Sequence, residues 1–386
     1  MHKDYIINHL GEDRKKYFNA VSPPIIQSSN FVFDDIESFR EAIKDEKGNH
    51  IYTRGNNPTV AILRKKLAAL EHTEDCLVFS SGSAAIAAAV MSHAKNGDHV
   101  VCVNNPYSWT VNLLTKYLAD YGVTHTFVDG KNSEEIENAF QENTTILYLE
   151  SPNTATFELQ DLEACATLAK SKGVITMIDN SYTSPLFQNP ADYGIDVIIH
   201  SATKYINGHS DVVMGVVCSS EQIIEKIFIN EYMTVGAIVS PHDAALVLRG
   251  LRTLKVRMKL IHENAQVVID YLDNHPIVEK VLYPFHKDFP QLELAHKQMT
   301  GAGGLFSILL KADNKEQVYN FVKHIKHFLF AVSWGGHESL ILPFISLFDI
   351  PGHPEPSVPW NLIRFYVGME DPEFLIDGLE KGFTGM

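Results

Sequence analysis

One segment of the sequence brings an acid and a lysine to the ends of two predicted strands. Residues 174–178 form a short apolar run that delivers Asp179 at its C-terminal end, the edge at which α/β sheets bind ligands. A second run, residues 196–200, leads directly into Ser-Ala-Thr-Lys at 201–204. A lysine that leaves a strand end suits covalent attachment of pyridoxal 5′-phosphate (PLP), and an acid one strand away suits the protonated pyridine nitrogen of that cofactor. Taken singly, Asp179 is also typical of a cap or turn residue and Lys204 of a solvated side chain.

A second element predicts where the phosphate of such a cofactor would bind. Residues 79–89 consist of an apolar residue, a small polar turn and an Ala-rich helix. A helix N-terminus presents free backbone N–H groups and the positive end of the helix dipole, so it binds phosphate. The amides of Gly82 and Ser83 would face the anion, and the hydroxyls of Ser201 and Thr203 can donate further hydrogen bonds to it. The plainer alternative is a tightly packed small-residue helix with an ordinary serine cap.

Alternating strands and helices position these residues. The candidate strands are residues 99–103, 124–128, 145–149, 174–178, 197–200 and 213–217. Several are nearly continuous β-branched runs, as expected for strands that are covered on both faces. Helices are predicted over residues 161–172 and, as a long element, after Pro241. Repeated β–α alternation predicts a mostly parallel central sheet in a three-layer α/β domain.

Composition and charge exclude several classes of protein. The 386 residues include 32 Lys and Arg against 47 Asp and Glu, which gives a formal net charge of −15. This balance argues against a nucleic-acid partner or a basic membrane-surface protein. A hydrophobic content of 45% and a charged content of 20% exclude wholesale disorder. No run approaches the roughly 20 apolar residues of a membrane span, and the N-terminus has no apolar stretch typical of a secretory signal.

The cysteines indicate the cellular compartment. Cys76, Cys102, Cys165 and Cys218 lie far apart, without the spacing of zinc ligands. We therefore expect reduced, mostly buried thiols, no metal site and a cytoplasmic location.

Short motifs along nearly the whole chain resemble those of one enzyme family. They are YTRGNNPT at 52–59, SSGSAA at 80–85, ESP at 150–152, the segment 179–211 with SATKY at 201–205, SPHDAALVLRGLRTL at 240–254, SWGGHESL at 333–340 and RFYVGME at 364–370. In this order they resemble the PLP-dependent enzymes of Cys/Met metabolism. That family includes cystathionine γ-synthase, cystathionine β- and γ-lyases, methionine γ-lyase and O-acetylhomoserine sulfhydrylase.

The resemblance implies an α/β fold of the fold-type I PLP-dependent transferases. It predicts an N-terminal arm over residues 1–50 that contributes to a neighbouring subunit. A large PLP-binding domain is expected over residues 51–245, and a smaller C-terminal α+β domain over residues 246–386.

The resemblance also implies roles for single residues around the cofactor. Lys204 resembles the lysine that bonds to PLP, Asp179 the partner of the pyridine nitrogen, and Tyr107 the tyrosine that stacks over the ring. The residues that resemble phosphate ligands are Gly82, Ser83, Ser201 and Thr203. Tyr52 and Arg54 resemble a pair that reaches the cofactor phosphate of a neighbouring subunit. Lys204, Tyr107 and Tyr52 form the predicted catalytic set.

Because Tyr52 and Arg54 would act across an interface, the resemblance implies at least a dimer, and a homotetramer built from two dimers is expected. The implied substrate is a small amino acid. Arg364 resembles the arginine that grips its α-carboxylate, a bidentate task that suits a guanidinium group. Ser333 is expected beside it, and Trp334 is expected either to line the substrate site or to pack in the core.

Several positions bear on which carbon–sulfur bond would be broken. Trp334 stands where γ-type members usually carry Leu, and Thr154-Ala155 stands where many carry Asn-Pro; both resemble bacterial cystathionine β-lyases. Val332 stands where γ-enzymes that handle cystathionine often carry Glu. Against these, residues 240–254 follow the γ-type pattern.

The sequence therefore predicts β-elimination of L-cystathionine to homocysteine, pyruvate and ammonia. The alternatives are cystathionine γ-synthase, cystathionine or methionine γ-lyase, and O-acetylhomoserine sulfhydrylase. A non-catalytic PLP-fold binding protein is an alternative of another class. It would be expected to have lost Lys204, Asp179 or Arg364, and all three are present.

Overall fold

A seven-stranded sheet forms the centre of the computed structural model, which describes residues 1–352 and 355–386. In chain order its strands are β1 (Asp75–Phe79), β2 (His99–Val103), β3 (Thr124–Val128), β4 (Thr144–Glu150), β5 (Ile175–Asp179), β6 (Val197–Ser201) and β7 (Gly215–Ser219). Their spatial order is β1-β7-β6-β5-β4-β2-β3. Strand β7 is antiparallel to both of its neighbours, and all other pairs are parallel. The predicted mostly parallel sheet is confirmed.

The six strands predicted from the sequence are all present, with ends that differ by at most two residues. The prediction lacked β1, because its apolar run is only four residues long and leads directly into the polar turn before the Ala-rich helix. β1 closes one edge of the sheet by pairing with β7.

Helices cover both faces of this sheet and connect it to the C-terminal part of the chain. They are α1 (Lys3–Asn8), α2 (Ile36–Ile43), α3 (Pro58–Leu70), α4 (Gly82–Met91), α5 (Ser108–Asn112), α6 (Ser133–Ala139), α7 (Leu162–Ser171), α8 (Ser184–Phe187), α9 (Glu221–Ile227), α10 (Met233–Val235), α11 (Pro241–Asp273), α12 (Leu292–Gln298), α13 (Lys315–His324) and α14 (Pro372–Thr384). Short 3₁₀ turns span Arg14–Tyr17, Ala119–Tyr121, Pro190–Tyr193 and Phe344–Leu347, and π turns span Leu113–Tyr117 and Phe228–Tyr232. Among the described residues, no helix is both long and apolar enough to cross a membrane.

A second, five-stranded sheet lies in the C-terminal part. Its strands are β8 (Val278–Leu282), β9 (Leu305–Leu310), β10 (Leu329–Phe330), β11 (Leu340–Pro343) and β12 (Leu362–Tyr366). Their order is β10-β11-β12-β9-β8, with only the β10–β11 pair parallel. The predicted boundary at residue 245 falls inside α11, so the division into domains stays a prediction.

Helix α11 packs against α3 on one side and against α14 and β8 on the other. Leu251, Leu254, Met258, Ile261 and Ala265 recur at spacings of three and four residues, and all five are fully buried. They belong to one continuous apolar core that reaches from the large sheet to the small one. The four cysteines are buried and free, as predicted.

The first residues of the chain are anchored by a buried ion pair. The Lys66 ammonium on α3 donates to the carbonyl oxygens of Ile6 and Ile7 at 3.0 and 2.9 Å. It also lies 3.1 Å from a Glu12 carboxylate oxygen, and both side chains are only 1% exposed. Glu12 also lies 2.8 Å from an Arg14 nitrogen and 3.8 Å from an Arg252 nitrogen, so it keeps two cations when Lys66 is removed, whereas the two carbonyl oxygens lose their donor.

We expect Lys66→Ala to lower the free energy of unfolding by about 1–3 kcal/mol, because the buried carbonyl oxygens of Ile6 and Ile7 lose their charged donor. The midpoint of urea unfolding measures the change. The control is Lys65→Ala, which removes the exposed neighbouring lysine and should change stability by less than about 0.5 kcal/mol. Equal midpoints for the two variants would show that the pair does not anchor the N-terminus.

Candidate active site

Lys204 lies in the turn that follows β6. Its Nζ donates to Ser333 Oγ at 2.5 Å and lies 5.5 Å from the centre of the Trp334 ring. Burial, together with the positive charge of Arg364, lowers the pKa of Lys204 from 10.5 to about 8. A substantial fraction of this amine is therefore neutral near physiological pH, as a nucleophile or a general base must be.

Two close contacts fix the backbone that carries this lysine. The buried Arg257 of α11 donates to the carbonyl oxygens of Tyr205 at 2.8 Å and Gly250 at 2.9 Å. Gly335, with φ of +89°, lies so near that a Cβ atom there would be 2.9 Å from the Lys204 backbone. A side chain at 335 would displace the lysine turn. The position of Lys204 therefore depends on β6, which precedes it, and on the loop before β11, which packs against it.

Asp179 ends β5 and is 9% exposed. The backbone N–H of Ser181 donates to its Oδ1 at 2.9 Å. Burial raises the pKa of the Asp179 carboxyl, while the Ser181 hydrogen bonds and the positive charges of His200 and Lys204 oppose that rise. A buried carboxyl of this kind is stabilised in its ionised form by a cation placed beside it.

The N-terminus of α4 provides a cradle for an anion. The Ser81 hydroxyl accepts from the Ala84 N–H at 3.0 Å, which leaves the Gly82 and Ser83 N–H groups without a partner among the described residues. A Cβ at Gly82 would be 3.0 Å from Ser201 Cβ, so the helix terminus and the Ser201 side chain converge.

Thr203 also stands in this turn, but its hydroxyl already has a backbone partner. The N–H of Met214 donates to Thr203 Oγ1 at 2.9 Å. The structure therefore brings Gly82, Ser83 and Ser201 together, and ties Thr203 to the chain segment before β7.

Tyr107 immediately precedes α5 and is 38% exposed. Its backbone N–H donates to a carboxylate oxygen of Glu150 at 2.7 Å. Tyr52 and Arg54 are exposed and lie against each other, with the guanidinium carbon 5.5 Å from the Tyr52 ring centre. Within residues 1–352 and 355–386, no hydrogen bond or ion pair links Tyr52 or Arg54 to Lys204, Asp179 or the α4 terminus.

Arg364 on β12 is 8% exposed, and its Nη1 donates to Thr154 Oγ1 at 3.2 Å. Across the described part of the chain, no carboxylate lies within ion-pair distance of it. Burial lowers the pKa of Arg364 to about 10, and the negative charge of Glu150 opposes the shift. A buried guanidinium without an ion-pair partner can bind an incoming carboxylate.

Ser333 and Trp334 lie beside the lysine, where the sequence predicted them. Ser333 is the hydrogen-bond partner of Lys204. The Trp334 indole is buried and packs against Tyr205 and Tyr182, with ring centres 5.3 and 6.4 Å apart. Core packing is thus observed for Trp334, and its contact with substrate stays a prediction.

Sequence reasoning assigned no role to two residues that hold the site together, Glu150 and Arg257. Glu150 follows the predicted strand 145–149, just as Asp179 follows 174–178, so the same signal was available for it. Arg257 sits among several other basic residues of α11 and has no feature in the sequence that sets it apart.

The arrangement fits PLP. Lys204 can take the aldehyde, the buried Asp179 needs a cation such as the protonated pyridine nitrogen, and the free amides of α4 beside Ser201 suit a phosphate. Such a combination of amine, acid and anion cradle is characteristic of a PLP-dependent enzyme.

Comparison with known proteins agrees. The sequence profile of the family described as "Cys/Met metabolism PLP-dependent enzyme" matches residues 5–384. The chain is 37% identical to L-methionine gamma-lyase of Fusobacterium nucleatum, over 95% of this chain and 94% of the relative. It is 36% identical to cystathionine gamma-lyase of Bacillus subtilis over the full length of both. The crystal structure of metB from Corynebacterium glutamicum superposes with a TM-score of 0.92 at 34% identity, covering 100% of this chain and 98% of that one.

The chain therefore belongs to the Cys/Met metabolism PLP-dependent enzymes, and the predicted fold class and cofactor are confirmed. It is a PLP-dependent carbon–sulfur lyase of sulfur amino-acid metabolism that acts on a small amino acid. The finer prediction of a β-lyase is not confirmed, because the two curated relatives are named gamma-lyases.

Because the Lys204 amine loses its proton with a pKa of about 8, the rate at which PLP bonds to the cofactor-free protein should rise with pH through about 8 and then level off. Borohydride reduction followed by mass spectrometry measures the bonded fraction. Lys204→Ala should form no reduced adduct, whereas Lys226→Ala, at an exposed lysine, should behave as wild type. A rate that keeps rising toward pH 10.5 would contradict the lowered pKa.

Proposed function

We propose that this carbon–sulfur lyase removes the γ-substituent of sulfur amino acids with an apolar side chain, with L-methionine as the substrate that fits. The carrying observation is Val332, which precedes the hydrogen-bond partner of Lys204 and is 71% exposed. An apolar side chain there offers no charge to the distal ammonium of cystathionine, but it suits a thioether methyl group. The gamma-lyase names of the relatives support the same reaction.

The geometry of the site supports the following residue roles. Arg364 binds the α-carboxylate of the substrate through its planar guanidinium. When bound, PLP supplies an electron-withdrawing ring that stabilises negative charge at the substrate Cα. Lys204 Nζ, whose neutral form is favoured by burial, accepts the Cα proton. A γ-leaving group requires that a second proton leave Cβ. We assign this step to the same amine, hydrogen-bonded to Ser333, after it has passed the first proton on and become neutral again.

β-Elimination of L-cystathionine is the second candidate. It is favoured by Trp334 and Thr154, the two positions at which the sequence resembles β-lyases. Thr154 contacts Arg364 directly, so a residue that differs between β- and γ-type members lies beside the proposed carboxylate site.

The products distinguish the two reactions. With L-methionine we expect 2-oxobutyrate, methanethiol and ammonia, with the keto acid identified by mass spectrometry. The reaction with L-cystathionine is run in parallel. Pyruvate and homocysteine as the main products, together with no turnover of L-methionine, would replace the γ-proposal by the β-lyase.

Val332→Glu tests whether the apolar side chain at this position selects the substrate. A carboxylate there should lower KM for L-cystathionine about tenfold, as a charge-assisted hydrogen bond to its distal ammonium would, and raise KM for L-methionine. Val332→Gln keeps the size of the new side chain without its charge and serves as the control. Equal effects of Glu and Gln would show that charge at this position does not select the substrate.

We further propose that the enzyme is a homo-oligomer with sites shared between subunits, built as a dimer of dimers. Tyr52 and Arg54 are exposed, and within the described residues they make no hydrogen bond or ion pair with the Lys204 cluster of their own chain. The arm before them carries large apolar side chains that face outward, with Phe18 99% and Val32 95% exposed. Packing against a second copy would bury them.

Mixing subunits tests the shared site. Arg54→Ala and Lys204→Ala protein should each be nearly inactive, whereas co-refolded mixtures should regain about a quarter of wild-type activity. Random pairing makes half of the dimers mixed, and each mixed dimer has one intact site. The control mixes Lys204→Ala with the Arg54→Ala/Lys204→Ala double variant and should stay inactive. No recovery in demonstrated mixed dimers would mean that each subunit holds a complete site.

A further inference from the structure

A second carboxyl, Glu150, lies beside Asp179 and takes no part in the roles assigned so far. Glu150 ends β4, and the strand register places it directly opposite Asp179 at the end of β5. It is 5% exposed. Two buried acids on neighbouring strands repel each other when both are ionised. The contacts of Glu150 must therefore offset the unfavourable free energy of that repulsion.

Those contacts join two loops of the site. One carboxylate oxygen of Glu150 accepts from the Tyr107 N–H at 2.7 Å. The backbone N–H of Thr154, four residues further along the chain, lowers the pKa of the same carboxyl. Tyr107 is the residue proposed to stack on the cofactor ring. Thr154 receives hydrogen bonds from Arg364 through both its hydroxyl and its carbonyl oxygen, at 3.2 and 3.4 Å.

The electrostatic surroundings of Glu150 agree with this linking position. Burial and the charge of Asp179 raise the pKa of Glu150 to about 8, while the two backbone N–H groups and the charge of Arg364 lower it. In the described part of the chain, no cation lies within ion-pair distance of the carboxyl. At neutral pH the carboxyl is therefore largely protonated in the protein alone. A protonated pyridine nitrogen that pairs with Asp179 would offset the repulsion and favour the ionised form of Glu150.

We infer that Glu150 is a positioning residue whose carboxyl sets the orientation of Tyr107 over the cofactor and of Arg364 toward the substrate carboxylate. A carboxylate offers an acceptor to the Tyr107 N–H and a negative charge that acts on Arg364. Glutamine keeps at most the acceptor and has no charge. The inference rests on the roles proposed above for Tyr107 and Arg364.

The experiment uses the PLP-loaded enzyme with L-alanine, which has no leaving group. L-Alanine reports substrate binding and Cα proton removal whether the natural reaction is β- or γ-elimination. In D₂O, Lys204 takes the Cα proton and the carbon receives a deuteron from solvent, so exchange is followed by mass spectrometry. Visible circular dichroism of the bound cofactor reports how Tyr107 lies over the ring.

In Glu150→Gln we expect the cofactor dichroism to change and L-alanine to bind about tenfold to a hundredfold more weakly, since the hydrogen bond to the Tyr107 N–H loses its charge assistance and Arg364 loses the negative charge that acts on it. The exchange rate at saturating L-alanine should fall less than the affinity. Glu142→Gln, at an exposed glutamate just before β4, is the control and should match wild type.

Unchanged dichroism and unchanged affinity in Glu150→Gln would overturn the inference, as would a loss of urea stability without either change. If Glu150→Gln does not fold, Glu150→Asp decides, because it keeps the carboxylate but draws it back by one methylene. The Asp variant should then bind L-alanine more weakly than wild type with altered dichroism, and wild-type values would reject the role. Failure of wild type to exchange L-alanine would instead count against the proposed function, and the dichroism would still test Glu150.

Discussion

The turn that carries Lys204 follows β6 of the large sheet and packs against the loop that leads to β11 of the small sheet. The rest of the site depends on that contact. Gly335 approaches the lysine backbone from the C-terminal part, and Arg257 binds the following carbonyl oxygens from α11. Burial of the amine follows from this packing, and the lowered pKa follows from the burial. The proposed carboxylate site on β12 belongs to the second sheet, so the reacting groups meet only because the two sheets are fixed against each other.

Charge is unusually concentrated in this buried space. Lys204 and Arg364 face Asp179 and Glu150 where water is scarce, and each shifts the pKa of at least one other member of the set. None of the four has an ion-pair partner within the chain segments that the structure describes. A cofactor and a substrate of complementary charge would stabilise these groups and so offset the unfavourable free energy of burying them in the protein alone.

Much of the fold and the centre of the site could be predicted because strong local signals carry them. Six apolar runs predicted six strands, and Asp179 and Lys204 each follow such a run. Glu150 also follows such a run, but its contact with Tyr107, like that of Arg257 with the lysine turn, joins residues more than 40 positions apart in sequence. Strand register and helix packing create those contacts, and a single sequence does not display them. Trp334 shows the same limit, because its place between two tyrosines depends on tertiary structure. The side chains that would separate β-elimination from γ-elimination are positioned by tertiary contacts of the same kind.

Helix α11 runs for 33 residues without a break from the large sheet to the small one, a rod roughly 50 Å long. Bending it near residue 245 would sacrifice several consecutive backbone hydrogen bonds, so a hinge between the two halves is energetically unfavourable. Any change of shape around a substrate would therefore fall in exposed loops, while the helix keeps the two sheets in a fixed relation to each other.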